Sequence, residues 1–139
     1  MIAWTALLFA AFLQAAAPSA KVETVHRDGS SGIEDARQVV VRTAGEWTKL
    51  WREHGGNQPE PRVDFATRTV IAIFLGTRPS AGYAVEIVGT RADGAGLVVE
   101  WREGKPERGM VAAQIMTAPA HIVSVPKVSG PIRFEKAGQ

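Results

Sequence analysis

From residue 68 onward the chain runs in short segments with a side-chain period of two, interrupted every few residues by Gly or Pro. A stretch patterned this way must fold as strands joined by turns. Val70-Ile71-Ala72-Ile73-Phe74-Leu75 is continuously apolar, which predicts a central strand covered on both faces. In residues 83–90, Tyr83, Val85 and Ile87 fall on one side and Glu86 on the other. Asp93-Gly94-Ala95-Gly96 reads as a turn, after which Leu97, Val99 and Trp101 alternate with Glu100 and Arg102. Residues 110–117, 121–125 and 132–134 read as three further strands. Pro119, Pro126 and Pro131 place these near sheet edges. The turns between neighbouring strands are too short for parallel crossovers, so antiparallel pairing is expected.

Upstream, residues 22–26 and 37–42 read as strands on either side of the turn Asp28-Gly29-Ser30-Ser31-Gly32. Val39-Val40-Val41 are β-branched, which suits a pleated surface. Thr43-Ala44-Gly45-Glu46 carries the spacing of a capping box. Trp47, Leu50, Trp51 and His54 then share one helical face, and Gly55-Gly56 ends the helix. The expected fold is mainly β, a β-rich α+β domain. It is an antiparallel sandwich or open barrel of about seven or eight strands, with one amphipathic helix near residues 44–54 packed over a face or open end. Trp47, Trp51 and Trp101 are all at core phase and are expected to pack together.

The connection at 76–83 carries more than a turn requires. Pro79 fixes its own φ, Gly76 and Gly82 are free to take positive φ, and Tyr83 follows. Arg78 is read at the tip, with no carboxylate beside it in the sequence. Arg78, Pro79, Ser80, Ala81, Gly82 and Tyr83 are therefore the candidate contact surface for a protein partner. Tyr83 is also at core phase and has a supporting role as the competing reading.

Phe74-Leu75-Gly76-Thr77-Arg78-Pro79, followed by Gly82-Tyr83 and an alternating strand, resembles the C-terminal domain of the protease complex subunit PrcB family. Ser31-Gly32-Ile33, the Glu46-Trp47 to Leu50-Trp51 helix and Val63-Asp64-Phe65 resemble its lead-in. Thr117-Ala118-Pro119 and Pro126-Lys127 resemble its close. The resemblance spans residues 30–128, and residues 21–139 read as a single domain of this kind. Ala120 departs from the pattern, where an aromatic would be expected after the Pro. The resemblance implies association with a protease, and it does not imply protease chemistry. Pro79 to Tyr83 also resembles the turn that chagasin-like inhibitors present at one end of an immunoglobulin-like sandwich.

Residues 1–20 contain no charged side chain. They run from an apolar stretch into Ala15-Ala16-Ala17, the layout of a secretory signal peptide. An uncleaved membrane anchor is the competing reading, since the stretch nears bilayer-spanning length. The chain has no Cys, hence no lipobox and no disulfide framework. The chain beyond the leader is large enough to bury roughly two-thirds of its surface and needs neither disulfide nor metal to fold. The 16 Lys and Arg are scattered among 14 Asp and Glu. No basic stripe with aromatic platforms points to nucleic acid.

Taken one at a time, His26, His54 and His121 read as structural, with His54 placed to cap the helix C-terminus. None stands at metal-ligand spacing to another in the sequence, although folding could bring two together. Neither a Gly-x-Ser-x-Gly elbow nor a His-Glu-x-x-His helix is present, and residues 76–82 lack the Gly-Lys-Ser/Thr of a phosphate loop. Ser80 reads as a turn residue. Glu86, Glu100 and Glu103 read as solvated outer-face charges. No catalytic residue, metal ligand or cofactor is expected. The reading is an exported, periplasmic or extracellular, non-enzymatic domain that binds a protein, either a protease or another envelope protein, without stable membrane insertion once the leader is cleaved. A protease inhibitor using residues 76–83 as a wedge is the alternative.

Overall fold

A computed structural model describes residues 21–138. The expected leader lies outside the described residues. Among the described residues, seven strands and one helix occur in the order β1 (Glu23–Asp28), β2 (Arg37–Val41), α1 (Ala44–Gly55), β3 (Arg68–Phe74), β4 (Ala84–Asp93), β5 (Gly96–Gly104), β6 (Ala120–Pro126) and β7 (Ile132–Lys136). They form a four-stranded sheet, β1-β6-β3-β2, and a three-stranded sheet, β4-β5-β7. The fold is mainly β, as expected, and the sheets do not close into a barrel.

Strand β3 explains the arrangement. Its alternate side chains serve two cores. Val70, Ala72 and Phe74 face Ile33, Trp47, Leu50 and Trp51 on the helix side. Ile71 and Ile73, with Leu75 just past the strand's end, face Val85, Ile87, Leu97 and Val99 of the second sheet. Strand β6 repeats the division, with Ala120 and Ile122 toward the helix and Val123 and Val125 toward the second sheet. The first sheet is thus the middle of three layers. Ala120 is fully buried on its helix side beside Phe74, its partner in the ladder.

The helix forms where its cap predicts. Thr43 is extended and its Oγ1 accepts the N–H of Glu46 at 3.3 Å. Trp47 and Trp51 bury their rings and donate their indole N–H groups to the carbonyls of Pro61 (2.9 Å) and Gln58 (2.8 Å). The segment that leaves the helix is thereby tied back over it.

Four expectations are corrected. Strand β6 is not an edge strand; it lies between β1 and β3. Its prolines stand just before it and at its last position, where they cost no interior ladder bond. Strand β7 pairs parallel with β5, because the chain crosses to β6 in the other sheet before returning. Residues 110–117 are not a strand. Their apolar residues come in adjacent pairs, Met110-Val111 and Ile115-Met116, and all four are exposed. Trp101 does not join the other tryptophans. It lies half-buried in the inter-sheet core, with the Lys136 ammonium 5.2 Å from its ring centre.

Candidate partner-binding surface and a histidine cluster

The connection 76–83 lies flat against the molecule. Gly76 has φ +80°, and a Cβ there would stand 2.9 Å from the backbone nitrogen of Ala36. The Thr77 N–H then donates to the Glu34 carbonyl at 3.0 Å. Arg78 and Thr117 exchange two main-chain hydrogen bonds of 2.7 and 2.9 Å, and Ala81 donates to the Ala113 carbonyl at 3.0 Å. Thr117 Oγ1 closes the arrangement by donating to the Ser80 carbonyl at 2.9 Å. Residues 76–83 and 105–118 therefore share one surface. Gly82, with φ +96°, packs against the ring of Pro106. A shallow groove runs between the two segments, lined by Ala81, Gly82, Pro106, Met110, Val111 and Ala113.

Of the six residues singled out in this loop, Pro79 and Gly82 are exposed, Ala81 and Tyr83 are half-buried, and Ser80 is buried. Arg78 is not the unpaired cation expected at the tip. Its guanidinium donates to the Leu75 carbonyl at 2.9 Å and to Glu103 at 3.1 Å, and it lies 5.9 Å from the centre of the Tyr83 ring. The carboxylate it needed comes from β5, 25 residues away. Tyr83 precedes β4 and supports Arg78 without entering the core.

Glu103 is also not a solvated charge. Its side chain is 9% exposed and is held by Arg78 and Lys136. Burial opposes its ionisation, and the bonds from Arg78 and Lys136 outweigh that, leaving the carboxyl below its ordinary value. Glu86 pairs with Arg102 and Glu100 with Arg91, so the three glutamates serve separate ion pairs.

The 105–117 segment adds what the sequence reading did not assign to the surface. Val111 is 100% exposed, and Met110, Ile115 and Met116 are more than half exposed. Four large apolar side chains on one segment exceed what scattered surface residues require. Their occurrence in adjacent pairs, where a half-buried strand would alternate, was the signal available in the sequence.

A second constellation lies on the helix side. His26 and Asp28 stand two apart on β1 and share a face. His54 comes from the last turn of α1 and is buried. It does not cap its own helix end: the Gly32 N–H donates to the His54 carbonyl at 2.9 Å. Its ring instead bridges, with Nε2 2.9 Å from His26 Nδ1 and Nδ1 2.7 Å from Ser31 Oγ. Ser31 is buried and its Oγ accepts the Ile33 N–H at 3.0 Å, so it serves to orient the ring. Burial and the neighbouring His26 hold the His54 pKa below its ordinary value, so the ring is neutral at neutral pH. Among the described residues, His26, Asp28 and His54 are the group whose side-chain donors converge closely enough to hold a cation. His121 stays apart from them, in the layer between the sheets.

Residues 69–126 match the family described as PrcB C-terminal. The match covers β3 to β6 and both segments of the loop surface, and over those residues it bears out the resemblance to the PrcB family read from the sequence. It fits a domain associated with a protease complex, and the family is not a known catalytic one. No curated protein and no solved structure matches the chain. Among the described residues, no helix is long and apolar enough to cross a membrane.

Proposed function

We propose that this chain is an exported, non-enzymatic domain that binds a protein component of a protease complex. Its contact surface would be formed jointly by residues 79–83 and 105–117. The observation that carries this reading is the exposed set Met110, Val111, Ile115 and Met116, on a segment hydrogen-bonded to the loop within the family match. Keeping four such side chains in water forgoes up to about 1.5–3 kcal/mol for fully exposed Val111 and less for the other three, which association would recover. Pro79 and Gly82 supply a rigid rim to the groove, and pinned Arg78 acts as scaffold beneath it. Export rests on the uncharged, apolar leader in residues 1–20.

The inhibitor reading asks for a projecting wedge. The bonds from Arg78 to Thr117 and from Ala81 to Ala113 lay the turn along its neighbour, which favours a broad patch.

The test is co-purification from the envelope of the native host, with components identified by mass spectrometry. The wild-type chain should bring down a protease or a subunit of its complex. The double variant Val111→Asp, Met116→Asp should fold with an unchanged melting temperature and lose that component. Retention of the same component by the folded double variant overturns the assignment of the surface. Slowing of the protease by the isolated domain would favour inhibition.

A further inference from the structure

We propose that His26, Asp28 and His54 form a binding site for a first-row divalent cation of the zinc type. The three donors reach one another within 4.8 Å. A tetrahedral zinc ion with bonds of about 2.0–2.1 Å sets its ligand atoms about 3.3 Å apart. The observed 2.9 Å between His26 Nδ1 and His54 Nε2 is within half an ångström of that spacing. Two neutral imidazoles and one carboxylate make a borderline donor set that suits zinc and its neighbours better than calcium or magnesium.

The supporting shell is already built. A ligating imidazole ordinarily donates its other ring N–H to a fixed acceptor. Ser31 Oγ stands in that place, 2.7 Å from His54 Nδ1. In the metal-free chain one proton occupies the gap between the two imidazoles. With the cation in that gap, His54 carries its proton on Nδ1 and donates it to Ser31 Oγ.

The rings are held on their other sides. His26 and His54 each meet Trp51 edge-on, at 5.1 and 5.3 Å between ring centres, and His54 also abuts Phe74. Asp28 uses Oδ1 to accept the Ser30 N–H at 2.8 Å, which orients the carboxylate and leaves Oδ2 for the cation. His26 and Asp28 are half-exposed, so the cation can enter from solvent and one coordination position stays open to water or to another donor. The sequence hid the site because its two histidines lie 28 residues apart, on a strand and a helix end.

Calorimetric titration of the full chain, stripped with chelator and then titrated with Zn²⁺, tests the site. One equivalent should bind, Zn²⁺ should raise the melting temperature, and Co²⁺ should give the visible absorption of a low-coordinate N/O site. Asp28→Asn and His26→Gln should each weaken Zn²⁺ binding at least tenfold, as losing one of three ligands requires. Asp28→Asn keeps an acceptor for the Ser30 N–H, so it decides the matter should His26→Gln fold poorly. Absence of saturable Zn²⁺ binding by the wild-type chain, or wild-type affinity in folded Asp28→Asn, overturns the proposal.

Discussion

The main-chain N–H of Ile87 donates to Nδ1 of His121 at 2.9 Å, joining the edge strand of one sheet to an interior strand of the other. Because a peptide N–H can only donate, the 2.9 Å bond makes Nδ1 the acceptor and puts the ring's proton on Nε2, which lies 3.0 Å from Thr24 Oγ1; the Arg27 guanidinium, also only a donor, stands farther off, at 3.3 Å from Nε2. A second proton would have to go on Nδ1 and would break the bond to Ile87.

This relationship sets a pH dependence. Burial and then the nearby Arg27 push the His121 pKa down from 6.5 to about 4, against a smaller opposite pull from Glu86. Between those values the unfolded chain binds a proton that the folded chain refuses. Stability is therefore fully present above 6.5 and is lost as pH falls toward 4, by on the order of 3 kcal/mol. The buried His54 contributes in the same direction. Urea unfolding at about pH 7 and about pH 4.5 measures the loss. His121→Gln should be less stable at neutral pH and show a shallower slope; a slope unchanged in that variant would remove His121 as its source.

Trp51 is the anchor of the helix layer. It is 3% exposed, lies 5.6 Å from the Trp47 ring centre and donates to the Gln58 carbonyl. Trp51→Ala should cost about 3–5 kcal/mol, as for a large buried aromatic, and should leave His26 and His54 without a common wall. Chemical denaturation gives the value. A loss below about 1 kcal/mol would mean that the helix does not pack as described.

Periodic features were legible in the sequence because each is written locally. The Thr43–Glu46 cap, the helical face of Trp47 to His54 and the doubly covered run 70–75 all stand where their patterns put them. Long-range pairing was hidden. Arg78 looked free because its carboxylate, Glu103, belongs to the strand across the hairpin. Pro119 and Pro126 suggested an edge because proline limits the ends of a strand, and says nothing of what flanks its middle. The parallel β5–β7 pair depends on β6 being inserted elsewhere, which no turn length encodes. The loop surface was half legible: its turn chemistry is local, whereas the exposure of Val111 depends on no sheet being there to cover it.

The Arg78–Glu103 pair changes what loss of Arg78 should do. With Arg78 nearly solvated its removal would be almost neutral. As found, Arg78→Ala strips one of two cations from a carboxylate with little solvent of its own. A cost on the order of 1–3 kcal/mol is expected. A double-mutant cycle with Glu103→Gln should show coupling above about 0.5 kcal/mol, because the residues share a hydrogen-bonded pair. Additive losses would show that the contact carries no stability.

Two glycines of the loop should differ in what they tolerate, and the difference tests how the surface is assembled. Both have positive φ, at +80° for Gly76 and +96° for Gly82, so alanine at either is strained by about 1–3 kcal/mol. The space around them is unlike. A Cβ at Gly76 would meet main-chain atoms of residues 34–36, which are fixed by the Thr77 N–H bond to Glu34 and cannot withdraw. A Cβ at Gly82 would meet the Pro106 ring, in an exposed segment that can shift outward. Gly76→Ala should therefore lower stability more than Gly82→Ala. Gly82→Ala should act chiefly on the groove, by displacing Pro106 and with it the bearing of Met110 and Val111. Adding Pro106→Ala removes the tightest contact, with Pro106 Cγ at 2.9 Å, and so relieves part of the steric cost of Gly82→Ala while leaving the φ strain. Thermal melts of the three variants, read beside partner capture, separate these effects. If Gly82→Ala is the more destabilising substitution, or if Pro106→Ala restores nothing, the two segments are not packed as one surface.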